Sequence, residues 1–361
     1  TDSSRSESEW QSLLKASLFA SAKRRLEADV PVGVLLSGGL DSSLVVAMLS
    51  ELGQKKIHTF SIGFETVAGE EGNEFKYSDV IARHYDTDHY KVNAHHHTLL
   101  SHLRSCVQAM SEPMVSHDVI GFYLLSQKVS QHVKVVQSGQ GADEVFGGYH
   151  WYPPMTDATH DNAPEVYAQS YFSWDEKELA KVLAPDYRSQ NFSMDFVRDY
   201  FSACDARLPV DKALHLDTAV MLVDDPVKRV DNMTMAFGLE ARVPFLDHEM
   251  VELAFSMPYQ FKLNGGGKYL LKKVAREMLP SEVIDRPKGY FPVPALRKMQ
   301  GKYLAMAKKL FSQPIARERG LFSMHFIDAM LAEPNKFTGR FGSKLWQVTL
   351  LELWLQEHSI R

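Results

Sequence analysis

The sequence predicts an α/β fold: a doubly wound, mostly parallel sheet in its first half, completed by a largely helical second half. Three observations carry that expectation. Short runs rich in Val, Ile, Phe and Tyr at 32–37, 57–64, 88–93 and 133–138 alternate with helical patterns, as strands covered on both faces do. Two of those runs, the first and the last, end in glycine-rich turns. Beyond about residue 150 the apolar spacing is mainly helical.

In chain order, residues 1–30 are expected to form a linker and a leading helix, because the opening Thr-Asp-Ser-Ser-Arg-Ser-Glu-Ser-Glu is polar and lacks an initiating Met. Residues 31–150 are expected to form the sheet-bearing core, with helices expected at 42–52, 75–85, 98–110 and 119–132. Trp151-Tyr152-Pro153-Pro154 breaks the alternation. Residues 151–361 then carry helical patterns at 192–201, 214–223, 249–255, 269–278 and 345–356, and this part is expected to pack against the core and complete a cleft with it. No internal repeat or low-complexity segment interrupts them.

Composition narrows the class. With 361 residues, 45% of them hydrophobic and 24% charged, the chain can bury a sizeable core. A net charge of −5 speaks against nucleic acid as a partner. Only Cys106 and Cys204 are present, which excludes a disulfide framework and fits a reducing, cytoplasmic setting. No apolar run approaches the length of a membrane span and no signal peptide is seen, so no membrane partner is expected.

The richest stretch is Ser37-Gly38-Gly39-Leu40-Asp41-Ser42-Ser43, between the apolar run 32–36 and a helical pattern. Backbone N–H groups at a helix N-terminus, the helix dipole and two glycines suit an approaching phosphate. A carboxylate at Asp41 would repel bare phosphate, which makes sense with a divalent cation between them. The stretch is neither a Walker A loop nor a dinucleotide fingerprint. A second turn, Ser138-Gly139-Gln140-Gly141-Ala142-Asp143-Glu144, follows the run at 133–136 and can lie at the same sheet edge. Asp41 and Asp143 are then candidates to share one magnesium ion, although an acidic helix cap explains Asp143 equally well when it is taken alone.

Val-Leu-Leu-Ser-Gly-Gly-Leu-Asp-Ser-Ser resembles the pyrophosphate loop of the ATP pyrophosphatase superfamily, and the remaining blocks resemble the synthetase domain of the asparagine synthetase family. These blocks are Ser138 to Tyr149, and Arg229-Val230-Asp231-Asn232-Met233-Thr234-Met235-Ala236 with its continuation to Asp247. The resemblance runs from Pro31 to about Gln356 and implies a sheet of the adenine nucleotide alpha hydrolase type. It implies a carbon–nitrogen ligase using ATP and Mg2+: a carboxylate attacks the α-phosphate, and ammonia then displaces AMP from the acyl-adenylate.

By the same resemblance, Leu35, Ser37, Gly38, Gly39, Asp41, Ser42, Ile62, Gly63, Ser138 and Gly139 hold the nucleotide. Lys268 faces its phosphates, and Lys288 meets the charge that builds up at adenylation, with Asp41 beside them. Surface solvation is the ordinary fate of a lysine, but these two sit on glycine-flanked turns. Gln140, Asp225 and Arg229 are candidates for contacting the acceptor, while Glu240, Arg242 and Asp247 read as ion pairs and caps.

Gln140 departs from the pattern, because asparagine synthetases usually carry a carboxylate there and β-lactam synthetases a tyrosine. An amide is no general base. That departure, with Tyr149-His150-Trp151-Tyr152-Pro153, is similar to the N-acetylglutaminylglutamine amidotransferases, which amidate a short acylated peptide. A true asparagine synthetase acting on aspartate, and a nucleotide-binding module without ligase activity, are the alternatives. Complete family members begin with a glutaminase domain and its nucleophilic cysteine, and that domain is expected to be absent from this chain. Monomer and homodimer both stay open.

Two other signals carry less. Adjacent histidines at His95-His96-His97 cannot all face one ion, so no transition-metal site is expected. Trp346 and Trp354 have the spacing of core residues on a helix.

Overall fold

The computed structural model describes residue 2 and residues 4–65, 72–286, 296, 298–339 and 342–360. The chain opens with α1 (Glu7–Arg24), capped by Ser6 in a reciprocal pair with Glu9. Part of the polar opening is thus the first turn of a helix that buries Trp10, Leu14 and Leu18. There follow β1 (Val32–Leu35), α2 (Leu40–Glu51), β2 (His58–Phe64), α3 (Phe75–His84), β3 (Asp88–Ala94), α4 (His96–Gln108), α5 (Val119–Val129), β4 (Val135–Gln137), the short α6 (Ala142–Phe146) and, far along the chain, β5 (Glu240–Arg242).

The five strands form a parallel sheet in the order β3-β2-β1-β4-β5. Alternation along β1 divides the core between its two faces. Leu35 packs with Phe60 and residues of α4 and α5, such as Leu103 and Ile120. Val34 and Leu36 pack on the other face with α1 and α2, through Leu14, Leu44 and Met48. A third cluster, centred on Tyr152, Tyr167, Phe201 and Leu214, belongs to the helical half. Trp346 is buried in the first cluster, and Trp354 packs against it.

Two elements differ from expectation. Glu240 and Arg242, read from the sequence as ion pairs and caps between helices, lie on the edge strand β5, in parallel register with Val135–Gln137. The helix expected at 214–223 is instead Pro209–Leu216 followed by wide π-type turns at Asp217–Met221 and Val223–Val227. Pro226 lies inside the second and cannot donate a backbone hydrogen bond, which favours a loosened turn. No described helix is long and apolar enough to cross a membrane.

Topology positions the site. From β1 the chain winds outward through β2 and β3, then returns to lay β4 on the opposite side of β1. The carboxyl ends of β1 and β4 therefore flank the point where the winding reverses, and crevices open at such points. Both glycine-rich turns emerge there.

Candidate functional site

A cleft of about 390 Å3 opens over these strand ends. Leu35, Ser37, Gly39, Asp41, Ser42, Ile62, Ser138, Gly139, Gln140, Asp143, Arg229 and Lys268 all line it. The turn after β1 is held by its own hydroxyls: Gly39 N–H donates to Ser37 Oγ at 3.2 Å, and Ser37 N–H donates to Ser42 Oγ at 3.2 Å. Gly38 bends the chain with φ +73°, a conformation that disfavours any side chain. Gly39 then caps α2 without a side chain over the first amide groups.

The centre of the site is Lys268. Its ammonium lies 2.6 Å from Asp41 Oδ2 and 2.7 Å from Asp143 Oδ1. The two carboxylates come from the two turns; the lysine comes from the helical half, at the start of the helix Tyr269–Ala275. Burial by itself depresses this ammonium, but Asp143 and Asp41 outweigh burial and hold its pKa well above the ordinary lysine value. The two carboxylates thus favour the charged form of Lys268. Gly148 makes the approach feasible: a Cβ there would fall 1.9 Å from Asp143 Oδ1 and 2.4 Å from Lys268 Cε.

Beside Asp143, Glu144 is buried and accepts the Tyr149 hydroxyl at 2.7 Å. Burial and the Asp143 charge raise the Glu144 pKa above the usual carboxylate range. Toward the far wall, Arg229 donates to Asp118 and Asp225, each at 3.0 Å, and its guanidinium stands 5.7 Å from the Phe122 ring. Asp118 and Phe122 line the cleft.

Three sequence candidates sit differently. Gly38 lies beneath the loop, where a Cβ would meet Ser78 N at 2.5 Å. Gly63 faces Asn73 and Phe75, with a Cβ clearance of 2.5 Å to Asn73 Cβ. Asp225 is half-exposed and reaches the cleft through Arg229. Lys288 lies outside the described residues.

Several lining residues escaped sequence reading: Glu74, Asp118, Lys272 and Arg286. Arg286 stands in the quoted Asp285-Arg286-Pro287-Lys288, where the lysine drew the attention. The charged block behaves as ion pairs and a cap. Asp247 accepts Glu249 N–H and pairs with Arg24 and Arg25, each at 2.6 Å, while Arg242 pairs with Glu240 at 2.7 Å. His95 bonds Glu65 and stacks on His97 at 5.6 Å. No cluster of three metal-ligating His, Cys, Asp or Glu occurs among the described residues.

The parallel sheet, its reversal point and the two loops define an α/β domain of the adenine nucleotide alpha hydrolase type. A family model described as asparagine synthase matches residues 13–356, and the chain belongs to that family. It is 25% identical to the glutamine-hydrolyzing asparagine synthetase 1 of Bacillus subtilis (strain 168), over 96% of this chain and 59% of that protein. It is 27% identical to a putative glutamine-hydrolyzing asparagine synthetase of Mycobacterium tuberculosis (strain ATCC 25618 / H37Rv), over 96% and 58%. It is also 27% identical to the glutamine-hydrolyzing asparagine synthetase B of Escherichia coli (strain K12), over 77% and 44%. The chain thus spans less than two thirds of the length of these relatives.

Proposed function

We propose that this chain is a carbon–nitrogen ligase that amidates a carboxylate at the expense of ATP, releasing AMP and pyrophosphate. One observation carries the reading: two glycine-rich acidic turns converge on the Lys268 ammonium at the reversal point of a parallel sheet. That geometry suits a nucleoside triphosphate whose phosphates meet fixed charge.

The roles follow from position. Leu35 and Ile62, at strand ends, offer backbone groups to the adenine, and Phe60 and Phe122 supply apolar wall. Ser37, Gly39 and Ser42 cradle the phosphates at the start of α2. Asp41 and Asp143 would hold a magnesium ion: two carboxylates gathered at one point are a hard oxygen donor set of the kind Mg2+ takes together with phosphate oxygens. Bound there, the ion would neutralise phosphate charge and fix its orientation. Lys268 turns its ammonium to the phosphate oxygens as nucleotide enters. Lys288, outside the described residues, is assigned to the charge that develops when the acceptor carboxylate attacks the α-phosphorus. The acyl-adenylate so formed carries AMP as a leaving group, and ammonia then takes its place at the carbonyl carbon.

The acceptor is read from Gln140 and Arg229. An uncharged amide at Gln140 neither takes a proton nor repels a carboxylate, and it can pair with the amide groups of a peptide. A short acylated peptide ending in glutamine is the acceptor that this residue favours. Aspartate is the second reading, favoured by the names of the relatives. Nitrogen is expected to arrive as ammonia, supplied by glutamine hydrolysis where a glutaminase domain accompanies the chain.

The test is AMP formation at saturating ammonium with N-acylated dipeptides and with aspartate. The reading expects AMP with the peptide and little with aspartate, and loss of pyrophosphate release in Asp41→Asn and Asp143→Asn. Efficient asparagine formation would return the chain to the second reading. Binding of ATP without turnover on any carboxylate would reduce it to a nucleotide-binding module.

A further inference from the structure

We infer that Arg286 is a phosphate-positioning residue, a second cation set against the β1–α2 turn. The inference rests on the cleft taking ATP, as proposed above. Arg286 lines the cleft, yet only 8% of its side chain is exposed. Its Nη2 donates to Glu74 Oε2 at 3.0 Å, and its guanidinium lies 4.5 Å from the Tyr77 ring. These two contacts fix the plane of the group. Its other terminal nitrogen, Nη1, is buried and makes no hydrogen bond with the described residues.

A buried, charged N–H donor without a partner is costly, and such groups are retained where a ligand completes them. The neighbouring carboxylate is already engaged, because Asp285 accepts Arg276 Nη1 at 2.9 Å. The turn is close: a Cβ on Gly39 would stand 3.5 Å from Arg286 Nη2. The same turn rests on α3, whose Tyr77 and Ser78 lie within 2.8 Å of a Cβ built on Gly38. One short segment, Glu74 to Ser78, therefore both backs the loop and orients the guanidinium. A fork held on one tine by Glu74 and free on the other presents a planar donor to a phosphate oxygen. The ligand chemistry is a di- or triphosphate bound at the turn, whether the β,γ end of ATP or released pyrophosphate.

Calorimetric titration of the whole chain with magnesium pyrophosphate, ATP and AMP tests this. Arg286→Gln is expected to weaken pyrophosphate and ATP by roughly ten- to a hundredfold, the worth of a charge-assisted hydrogen bond, and to leave AMP unchanged. Arg286→Lys, which keeps the charge but loses the fork, should restore part of the loss and keeps the test open if the glutamine variant does not fold. Unchanged pyrophosphate affinity in both variants, with the unaltered chain binding, would overturn the role of Arg286 alone. A parallel loss of AMP affinity would overturn it too, because it would mark a merely structural arginine. Failure of the unaltered chain to bind any adenine nucleotide would instead remove the ATP reading itself, and this inference with it.

Discussion

Lys268 and Asp41 lie 227 positions apart in the chain and 2.6 Å apart in the fold. The contact ties the helical half to the phosphate-type turn of the sheet, and Asp143 closes the same triad from the second turn at 2.7 Å. Two like charges are thus kept together by one opposite charge in a poorly solvated place. Each side chain exposes about a fifth of its surface or less.

The first prediction follows from that balance. Lys268→Met leaves two facing carboxylates, and breaking a buried pair in this way costs about 3–5 kcal/mol. Denaturation in a chelator should show the loss, and millimolar Mg2+ should recover part of it by standing between Asp41 and Asp143. Equal stability with and without the cation would deny those carboxylates a metal site.

Gly148→Ala is predicted to abolish nucleotide binding more thoroughly than it harms folding. The new methyl would overlap Asp143 Oδ1 and Lys268 Cε while the strands lie elsewhere. Circular dichroism close to that of the parent, with no heat of ATP binding, is the expected pair of results. An alanine variant that binds ATP normally would mean that the Asp143–Lys268 pair is dispensable.

Acid sensitivity is predicted where Asp247 meets Arg24 and Arg25. Burial alone would raise the Asp247 carboxyl, yet Arg24 and Arg25 override it and hold the pKa down at about 2, against an ordinary value of 3.8. A folded-state pKa below the unfolded one means that the unfolded chain binds the proton more readily. The stabilisation is therefore complete above about pH 4 and disappears as pH falls toward 2. Asp247→Asn should flatten that acid limb in a urea-denaturation series from pH 5 to pH 2. An unaltered slope would assign the acid limb to other carboxylates.

Much of this site was legible because its chemistry is local. A strand that turns through Ser37-Gly38-Gly39 into a helix announces a phosphate-type loop, and the turn at Ser138 to Asp143 repeats the logic. The parallel sheet could likewise be read from alternating apolar runs. What stayed hidden is settled by distant partners. Glu240-Ala241-Arg242 has no strand-like composition and becomes β5 only by pairing with Val135–Gln137. Gly63 ends a strand in the manner of a cleft glycine, but Asn73 and Phe75 occupy the space beside it. Arg286 is one arginine among many until Glu74 and Tyr77 fix its plane. Burial and orientation of this kind depend on residues far away in sequence, and no local pattern encodes them.

The most direct test of the central claim is the identity of the nucleotide product. The chain, supplied with Mg-ATP, saturating ammonium and an N-acylated dipeptide ending in glutamine, should yield AMP and pyrophosphate in equal amounts with the peptide amide, and Asp143→Asn should yield neither. ADP and orthophosphate as products, or amide formed without AMP, would contradict the adenylating role given to the Asp41–Lys268–Asp143 site.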